Sequence, residues 1–256
     1  MKLLLTIAYD GAGYDGWQSQ PSGRGVQDQV ERVLAQLLRE SLRIEGASRT
    51  DAGVHAHAMP AHFEIPEDRL RMPVRQLPLA LNHFLPADVR VMSAKRVDPD
   101  FHARFDARGK VYHYRLWNHS AAHPLIRNQA WHIPRKLDRE AMRQAASLLL
   151  GTHDFRAFTV TCPGALKDSV RTLRSLEVLK RGPEMRVVIE GDAFLYKMCR
   201  ALVGLLVAVG EGTMSSEDVP RLLDPSRIGP QERSGVIAPA HGLALWKVRY
   251  GRGSRP

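Results

Sequence analysis

The strongest candidate for chemistry in this chain of 256 residues is an aspartate in a short polar loop. Asp51 stands in the stretch Gly46–His55, two residues after Arg49 and two residues before Gly53. Reactive groups are usually placed on loops that a rigid sheet holds. A guanidinium close by would keep the carboxylate ionised, as a nucleophile or a base requires. The pattern is also typical of an ordinary Asp-x-Gly turn, so it indicates a reactive site only together with other segments.

Two further segments carry aromatic and cationic side chains that could build a pocket for a nucleobase. Tyr112 and Tyr114 share one face of a predicted strand, with basic residues near the other face. This combination stacks an unpaired RNA base and holds its phosphate, and cross-strand packing of the two rings is the alternative. Arg200 begins a long apolar helix, where the dipole does not favour a cation. Pairing with a carboxylate would give this arginine a use, and a solvated helix end is the alternative.

Two other motifs suggest cofactors that we do not expect. Gly11–Gly16 matches G-x-G-x-x-G after a strand, but the next helix begins only near Val26. A dinucleotide site needs a helix N-terminus at the third glycine, so we predict a glycine-rich surface loop and no nucleotide cofactor. His55, His57 and His62 lie close together in sequence, yet a metal site needs three or four converging ligands, and no cysteine is nearby. We therefore predict no metal.

Composition restricts the class of protein and its partners. At 44% hydrophobic residues the chain can bury a core, and its net charge of +10 favours a polyanion, either nucleic acid or an acidic membrane surface. Cys162 and Cys199 form neither a C-x-x-C motif nor a disulfide framework, which fits a reducing compartment. The longest apolar run, Ala201 to Val209, has nine residues, whereas a membrane span needs about 20. We expect a cytoplasmic protein that has no membrane segment and no signal peptide.

Hydrophobic periodicity predicts the elements that must position these residues. Strands are expected over 3–9, 42–47, 61–65, 89–97, 111–117, 170–179, 185–191 and 243–250. Helices are expected over 26–39, 138–150 and 194–209, with a broken one over 70–85 because of Pro73 and Pro78. Strands are often adjacent in sequence, which favours an α+β fold over the alternation of a doubly wound sheet. We expect two halves, 1–108 with the Asp51 loop and 109–256 completing the sheet and the cleft.

Together these segments resemble the tRNA pseudouridine synthase A family over nearly the whole chain. The most specific match is the string Arg-Thr-Asp-Ala-Gly-Val-His-Ala at Arg49–Ala56, together with the Gly-Trp-Gln-Ser-Gln box at Gly16–Gln20. The other matching pieces are Tyr9–Gly11, Val26–Gln27, Asp100–Phe105, Tyr112–Tyr114, Gly151–Phe155 and Met198–Arg200. The resemblance implies isomerisation of uridine to pseudouridine at positions 38, 39 and 40 of the anticodon stem-loop.

The resemblance also implies an architecture and partners. It implies two ferredoxin-like, RRM-like halves that form one extended, mainly antiparallel sheet with helices on one face. It further implies a homodimer that grips tRNA across both subunits, with neither a metal nor an organic cofactor.

For the site, the resemblance makes Asp51 the catalytic aspartate and Arg200 its ion-pair partner. Tyr112 is the ring that stacks on the target uracil. Arg49 helps to hold the flipped nucleotide or fills the place that it vacates. The further substrate-binding residues are Arg104 and Lys110.

This sequence departs from the family's pattern at two places. Tyr196–Arg200 replaces a more usual His-Asn-Met-Val-Arg or His-His-Met-Val-Arg string and keeps the arginine. Lys110 stands where arginine is common, which changes the geometry of a phosphate contact more than its charge.

Three other classes of protein would share some of these features. A non-catalytic RNA-binding module of the same fold would need everything except Asp51. An oxidoreductase would use the Gly11–Gly16 loop to bind NAD or NADP. A basic structural protein would give no reason for the combination of Asp51, Tyr112 and Arg200.

Overall fold

The computed structural model describes residues 1–160, 168–229 and 232–251, so Cys162 lies outside the described residues. The chain divides into two compact units, one formed by Met1–Lys110 with the segment from Ala244 onward, the other by Val111–Leu243. The sequence pattern had placed everything after 108 in the second half. The last strand instead belongs to the N-terminal unit, because its residues Ala244 and Leu245 pair with His55 and Ala56 of that unit.

The structure contains ten strands and five helices among the described residues. The strands are β1 (Lys2–Tyr9), β2 (Glu45–Gly46), β3 (His55–Glu64), β4 (Val89–Val97), β5 (Ala107–Asn118), β6 (Trp131–Ile133), β7 (Gly151–Asp154), β8 (Val170–Arg181), β9 (Glu184–Gly191) and β10 (Leu243–Tyr250). The helices are α1 (Val26–Leu38), α2 (Leu77–Phe84), α3 (Arg139–Leu148), α4 (Met198–Gly210) and the single turn α5 (Val219–Leu222). None of the helices in the described parts of the chain has the length and apolar character needed to cross a membrane.

In the N-terminal unit, the strand order is β4-β1-β3-β10. β1 pairs antiparallel with both β3 and β4, whereas β10 runs parallel to β3. Alternate residues of β1 are buried on one face, as the two-residue period of a strand requires; these are Leu3, Leu5, Ile7 and Tyr9. The apolar stripe of α1 is buried as well, so its amphipathic pattern supplies part of this unit's core.

In the C-terminal unit, the strand order is β5-β9-β8-β7. β8 and β9 form an antiparallel hairpin whose turn contains Gly182 in the left-handed region, at φ 60°. α4 is buried almost all round, which explains its apolar sequence. A Cβ on Gly204 of this helix would lie 1.7 Å from the carbonyl oxygen of Val236, so only glycine allows that segment to pack there. Both units combine helices with a mainly antiparallel sheet, and the α+β expectation is confirmed.

Several expected element bounds were wrong. The strand expected over 42–47 is reduced to the two residues of β2, which lie opposite His62 and Ala61 of β3. β3 begins at His55, six residues earlier than expected, and so includes part of the predicted polar loop. The helix expected from 194 begins at Met198, because Lys197 takes a left-handed conformation at φ 59°. The short strands β6 and β7 had no recognisable pattern.

Candidate functional site

The loop that carries Asp51 is held at its incoming side by the residue before it. Thr50 is buried, and its Oγ1 lies 2.7 Å from the hydroxyl oxygen of Tyr9, the last residue of β1. The carbonyl oxygen of Thr50 accepts a hydrogen bond of 3.1 Å from the backbone N–H of Trp17. The ring of Trp17 is itself 2% exposed, so both anchors are core residues. The backbone that leads into Asp51 is thus joined to β1 and to the following loop.

At its outgoing side, the Asp51 loop closes in a turn. The N–H of Val54 donates to the carbonyl oxygen of Asp51 at 3.1 Å, and the N–H of Gly53 donates to the carbonyl oxygen of Tyr14 at 3.3 Å. Gly53 has φ 78°, a conformation that glycine adopts without steric cost. The side chain of Asp51 is half-buried. A carboxylate on a backbone that is fixed on both sides is suited to act on a substrate in a defined position.

The glycine-rich loop packs against the Asp51 loop. A Cβ on Gly11 would lie 2.0 Å from the carbonyl oxygen of Val54, and one on Gly16 would lie 2.5 Å from that of Thr50. Gly13, in contrast, has nothing within 4 Å of the corresponding position. The expectation of a surface loop was therefore wrong for its two end glycines, which are buried.

The same glycine-rich region accepts hydrogen bonds from the first residues of α1. The N–H of Val26 donates to the carbonyl oxygen of Gly16, and the N–H of Gln27 donates to that of Trp17, both at 3.0 Å. The N–H of Gly25, just before the helix, donates to the Asp28 carboxylate at 2.8 Å. A pyrophosphate would need such donors at a helix N-terminus, but here the loop itself accepts from them.

Lys110 is the candidate that the structure brings to the Asp51 loop from β5. Its Nζ donates to Oγ of Ser48 at 3.3 Å, and Ser48 is a buried residue three positions before Asp51. Arg49, between them, has an exposed side chain. Within the N-terminal unit, the loop thus carries the Arg49 cation and the Asp51 carboxylate, and it is contacted by the Lys110 cation. Sequence reasoning missed Ser48, because a serine in a polar loop has no distinguishing pattern.

Arg104 lies at the tip of a closed turn, apart from these contacts. The N–H of His102 donates to the Asp106 carboxylate at 2.8 Å, and the N–H of Asp106 donates back to the carbonyl oxygen of His102 at 3.0 Å. The guanidinium of Arg104 lies 5.8 Å from the ring centroid of the neighbouring Phe105, whose side chain is 73% exposed. The turn presents a cation and an aromatic ring to solvent, an arrangement that can contact a phosphate and a base.

Among the described residues, Glu45, His62 and His102 have potential metal-ligand atoms within 4.8 Å of one another. This group contains only one of the three histidines that are close in sequence. His62 accepts the N–H of Ala103 on Nδ1 at 3.3 Å, and His102 accepts two backbone N–H groups on Nδ1. A ring that accepts on Nδ1 carries its hydrogen on Nε2, and in His102 that atom lies 3.0 Å from the Glu45 carboxylate.

These hydrogen bonds decide how well the group fits a metal. A histidine that binds a metal through one nitrogen normally donates the other N–H to an acceptor. In His62 and His102 the second nitrogen faces a donor. The donor set therefore fits a hydrogen-bonded cluster that closes the 102–106 turn, and not a metal centre.

In the C-terminal unit, Tyr112 and Tyr114 lie on the buried face of β5, as their spacing predicted. The Tyr112 ring meets the ring of Phe194 edge to face, with centroids 5.3 Å apart. The hydroxyl of Tyr114 donates to the carbonyl oxygen of Pro239 at 2.8 Å. Burial raises the pKa of the Tyr114 phenol, while the positive charge of Arg200 acts to lower it. Tyr114, which was expected to join the base pocket, is thus bonded within the protein core.

Arg200 is the third residue of α4, and its side chain donates a hydrogen bond to the backbone of another segment. Its Nε donates to the carbonyl oxygen of Ala238 at 2.7 Å, and the N–H of Ala238 donates to the carbonyl oxygen of Arg200 at 3.1 Å. This two-way bond sets the direction in which the guanidinium leaves the helix. The pairing of Arg200 with Asp51 joins residues of the two units and stays a prediction.

Comparison with known proteins identifies the family of this chain. The family model described as tRNA pseudouridine synthase matches residues 5–106 and 145–251. The tRNA pseudouridine synthase A of Acetivibrio thermocellus is 41% identical over 250 residues, which cover 96% of this chain and 98% of that protein. Its counterpart in Geobacter sp. strain M21 is 42% identical over 249 residues, covering 97% and 98%. The chain therefore belongs to the tRNA pseudouridine synthase family of isomerases.

Proposed function

We propose that this enzyme converts uridine to pseudouridine at positions 38, 39 and 40 of the tRNA anticodon stem-loop, with Asp51 as the nucleophile or base. The observation that supports the proposal is the fixed position of Asp51. Its backbone is hydrogen-bonded on both sides, while its side chain remains half-buried. The net charge of +10 suits a polyanionic substrate, because phosphate contacts dominate affinity for nucleic acids.

The reaction is an isomerisation and therefore needs no oxidant or reductant. The glycosidic bond between C1′ and N1 breaks, the uracil turns, and a bond between C1′ and C5 forms. The hydrogen at C5 leaves as a proton to solvent, and N1 gains a proton. Asp51 either attacks C1′ or C6 covalently or removes the proton at C2′ to give a glycal. Tyr112 and water are the candidates for accepting the C5 proton.

The remaining candidates serve the nucleotide before and during this step. The target base must leave its stack, which costs a few kcal/mol, and stacking on Tyr112 offsets part of that cost. Arg49 holds the flipped nucleotide or fills its place, and Arg200 pairs with Asp51. Lys110 and Arg104 contact the phosphates. The enzyme acts in the cytoplasm as a homodimer, without a metal or a nucleotide cofactor.

The test is the release of tritium from an unmodified tRNA transcript labelled at C5 of uracil. Formation of pseudouridine must expel that hydrogen into water, whereas binding alone cannot. We expect release by the wild type and none by Asp51→Asn or Asp51→Ala, with tRNA affinity retained in both variants. The asparagine variant is the matched control for shape, because it removes the charge and keeps the side chain's size.

Two outcomes would contradict the proposal. If the wild type binds tRNA and releases no tritium, the chain is a non-catalytic RNA-binding module of the same fold. If the Asp51 variants lose binding and activity to the same extent, Asp51 has a structural role.

A further inference from the structure

An exposed pair of stacked aromatic rings lies on the sheet of the N-terminal unit. The ring centroids of His57 on β3 and Trp246 on β10 are 4.1 Å apart, and their planes differ by 23°. The two strands run parallel with Leu245 opposite Ala56, so His57 and Trp246 follow side by side on the other face. Both rings are exposed, Trp246 to 38%.

Packing in the core of the N-terminal unit does not explain why His57 and Trp246 stack on each other. Ala56 and Leu245, the residues before His57 and Trp246, are 4% and 0% exposed and already fill the buried face at this level of the sheet. A stack that keeps both rings in contact with solvent leaves much of their apolar surface unburied. Planar rings held in this way offer a surface on which another flat ring can stack.

The surroundings of the pair favour a nucleobase as that ring. His57 lies six residues after Asp51 on the strand that leaves its loop. The start of that strand is tied to the glycine-rich loop, because the N–H of Gly11 donates to Nδ1 of His55 at 3.0 Å. Unpaired RNA bases are recognised by stacking on such aromatic side chains, tryptophan and histidine included.

We propose that His57 and Trp246 form a stacking platform for one unpaired nucleobase of the RNA substrate. The proposal rests on the proposed function. It adds a second base-binding position to the one that binds the reacting uridine. The base extends the His57–Trp246 stack on its solvent side. Because every base has a flat face, the platform recognises an unstacked nucleotide and tolerates different bases.

The first experiment measures the affinity of the full-length protein for an anticodon stem-loop RNA. We expect Trp246→Ala and His57→Ala to weaken binding by roughly 5- to 150-fold, the range of base–aromatic stacking, and Trp246→Phe to stay near the wild type. Trp117→Ala is the matched control, because that ring packs near His119 and His123 in the C-terminal unit and has no place in the proposed platform. Thermal unfolding of each variant identifies any change that comes from loss of folded protein.

The second experiment removes a base from the RNA instead of a ring from the protein. Stem-loops with one abasic nucleotide at each loop position in turn are bound to the wild type and to Trp246→Ala. We expect one position at which the abasic RNA binds weakly to the wild type and Trp246→Ala causes no further loss.

Three results would overturn the platform. The first is that the variants bind intact RNA as tightly as the wild type. The second is that their losses add to those of every abasic substitution. The third is that Trp246→Ala changes the oligomeric state and leaves RNA affinity unchanged, which would make the pair a contact between protein copies. Each result leaves tritium release by the wild type untouched, so failure of the platform is distinguishable from failure of the proposed function.

Discussion

The hydroxyl groups of Tyr9 and Thr50 lie 2.7 Å apart in the core of the N-terminal unit and share a hydrogen bond. This contact joins the end of β1 to the residue directly before Asp51. Burial raises the pKa of the Tyr9 phenol, against the opposing effect of its hydrogen bond with Thr50. The phenol is therefore protonated at neutral pH. The position of Asp51 therefore depends on a neutral hydrogen bond that solvent does not reach.

Tyr9→Phe removes this hydrogen bond and keeps the ring. We expect a loss of about 1 kcal/mol in the free energy of unfolding and a several-fold fall in kcat, because Asp51 is held less firmly. Affinity for tRNA should not change. Denaturant titration and tritium release measure the two effects.

Tyr14→Phe is the control for Tyr9→Phe, since its hydroxyl donates to the Asp88 carboxylate at 2.7 Å in an exposed position. Equal behaviour of the two variants would contradict a role for the Tyr9–Thr50 bond in positioning Asp51.

Within the glycine-rich loop, Gly11→Ala and Gly13→Ala should differ sharply. A Cβ at Gly11 would overlap the carbonyl oxygen of Val54, whereas one at Gly13 meets nothing within 4 Å. We expect Gly11→Ala to lower the free energy of unfolding by about 1–3 kcal/mol, as overpacking does, and to lower kcat, while Gly13→Ala stays near the wild type in both. A kcat for Gly11→Ala equal to that of Gly13→Ala would show that this loop does not support the Asp51 loop.

Tyr112→Phe tests whether the ring or the hydroxyl binds the substrate. The phenylalanine ring keeps the edge-to-face contact with Phe194 and can still stack on uracil, so we expect the Kd for tRNA to stay within about twofold. Tyr112→Ala should weaken binding by the contribution of one stacked base, about 1–3 kcal/mol. A large rise of Kd in Tyr112→Phe, measured by filter binding, would instead assign the binding to the hydroxyl.

The stability of the protein should fall in mild acid because of His62. Burial lowers the pKa of this imidazole from 6.5, the positive charges of His102 and Lys2 lower it further, and Glu45 acts in the opposite direction. The unfolded chain therefore binds more protons than the folded one just below pH 6.5, so the free energy of unfolding falls as the pH falls from about 6.5 towards the lowered pKa.

His62→Asn provides the comparison for this effect. Its Oδ1 can accept the N–H of Ala103 in place of Nδ1, but it does not titrate. We expect the drop in stability between neutral pH and mild acid to be smaller in this variant, measured by denaturant titration at a series of pH values. An identical pH dependence in both proteins would show that another group is responsible.

The sequence predicted some elements well because their patterns are local. The bounds of β4 and β10 agree with the expected ones, since turn-forming residues flank two alternating segments. The bounds of β2 could not be predicted, because its length depends on how many residues pair with β3. For the same reason, His62 was grouped with its neighbours in sequence, while strand register and the turn at 102–106 place it beside Glu45 and His102.

The candidate site shows the same limit. Asp51 and Gly53 were recognisable from residue type and spacing. The contacts that hold the loop were not, because Tyr9 meets Thr50 and Lys110 meets Ser48 only through tertiary contacts between distant parts of the chain.

The contact at Gly204 has a mechanical consequence for Arg200. The two residues are four positions apart and so lie on one face of α4, where the segment 236–238 runs along the helix: Val236 lies against Gly204, and Ala238 bonds Arg200. If the helix slid by one residue along its axis, the side chain of Val203 or Leu205 would have to enter a space that has no room for a single methyl group. The close approach at Gly204 thus fixes the position of α4 along its axis. It thereby also fixes the axial position of Arg200, which lies one turn away.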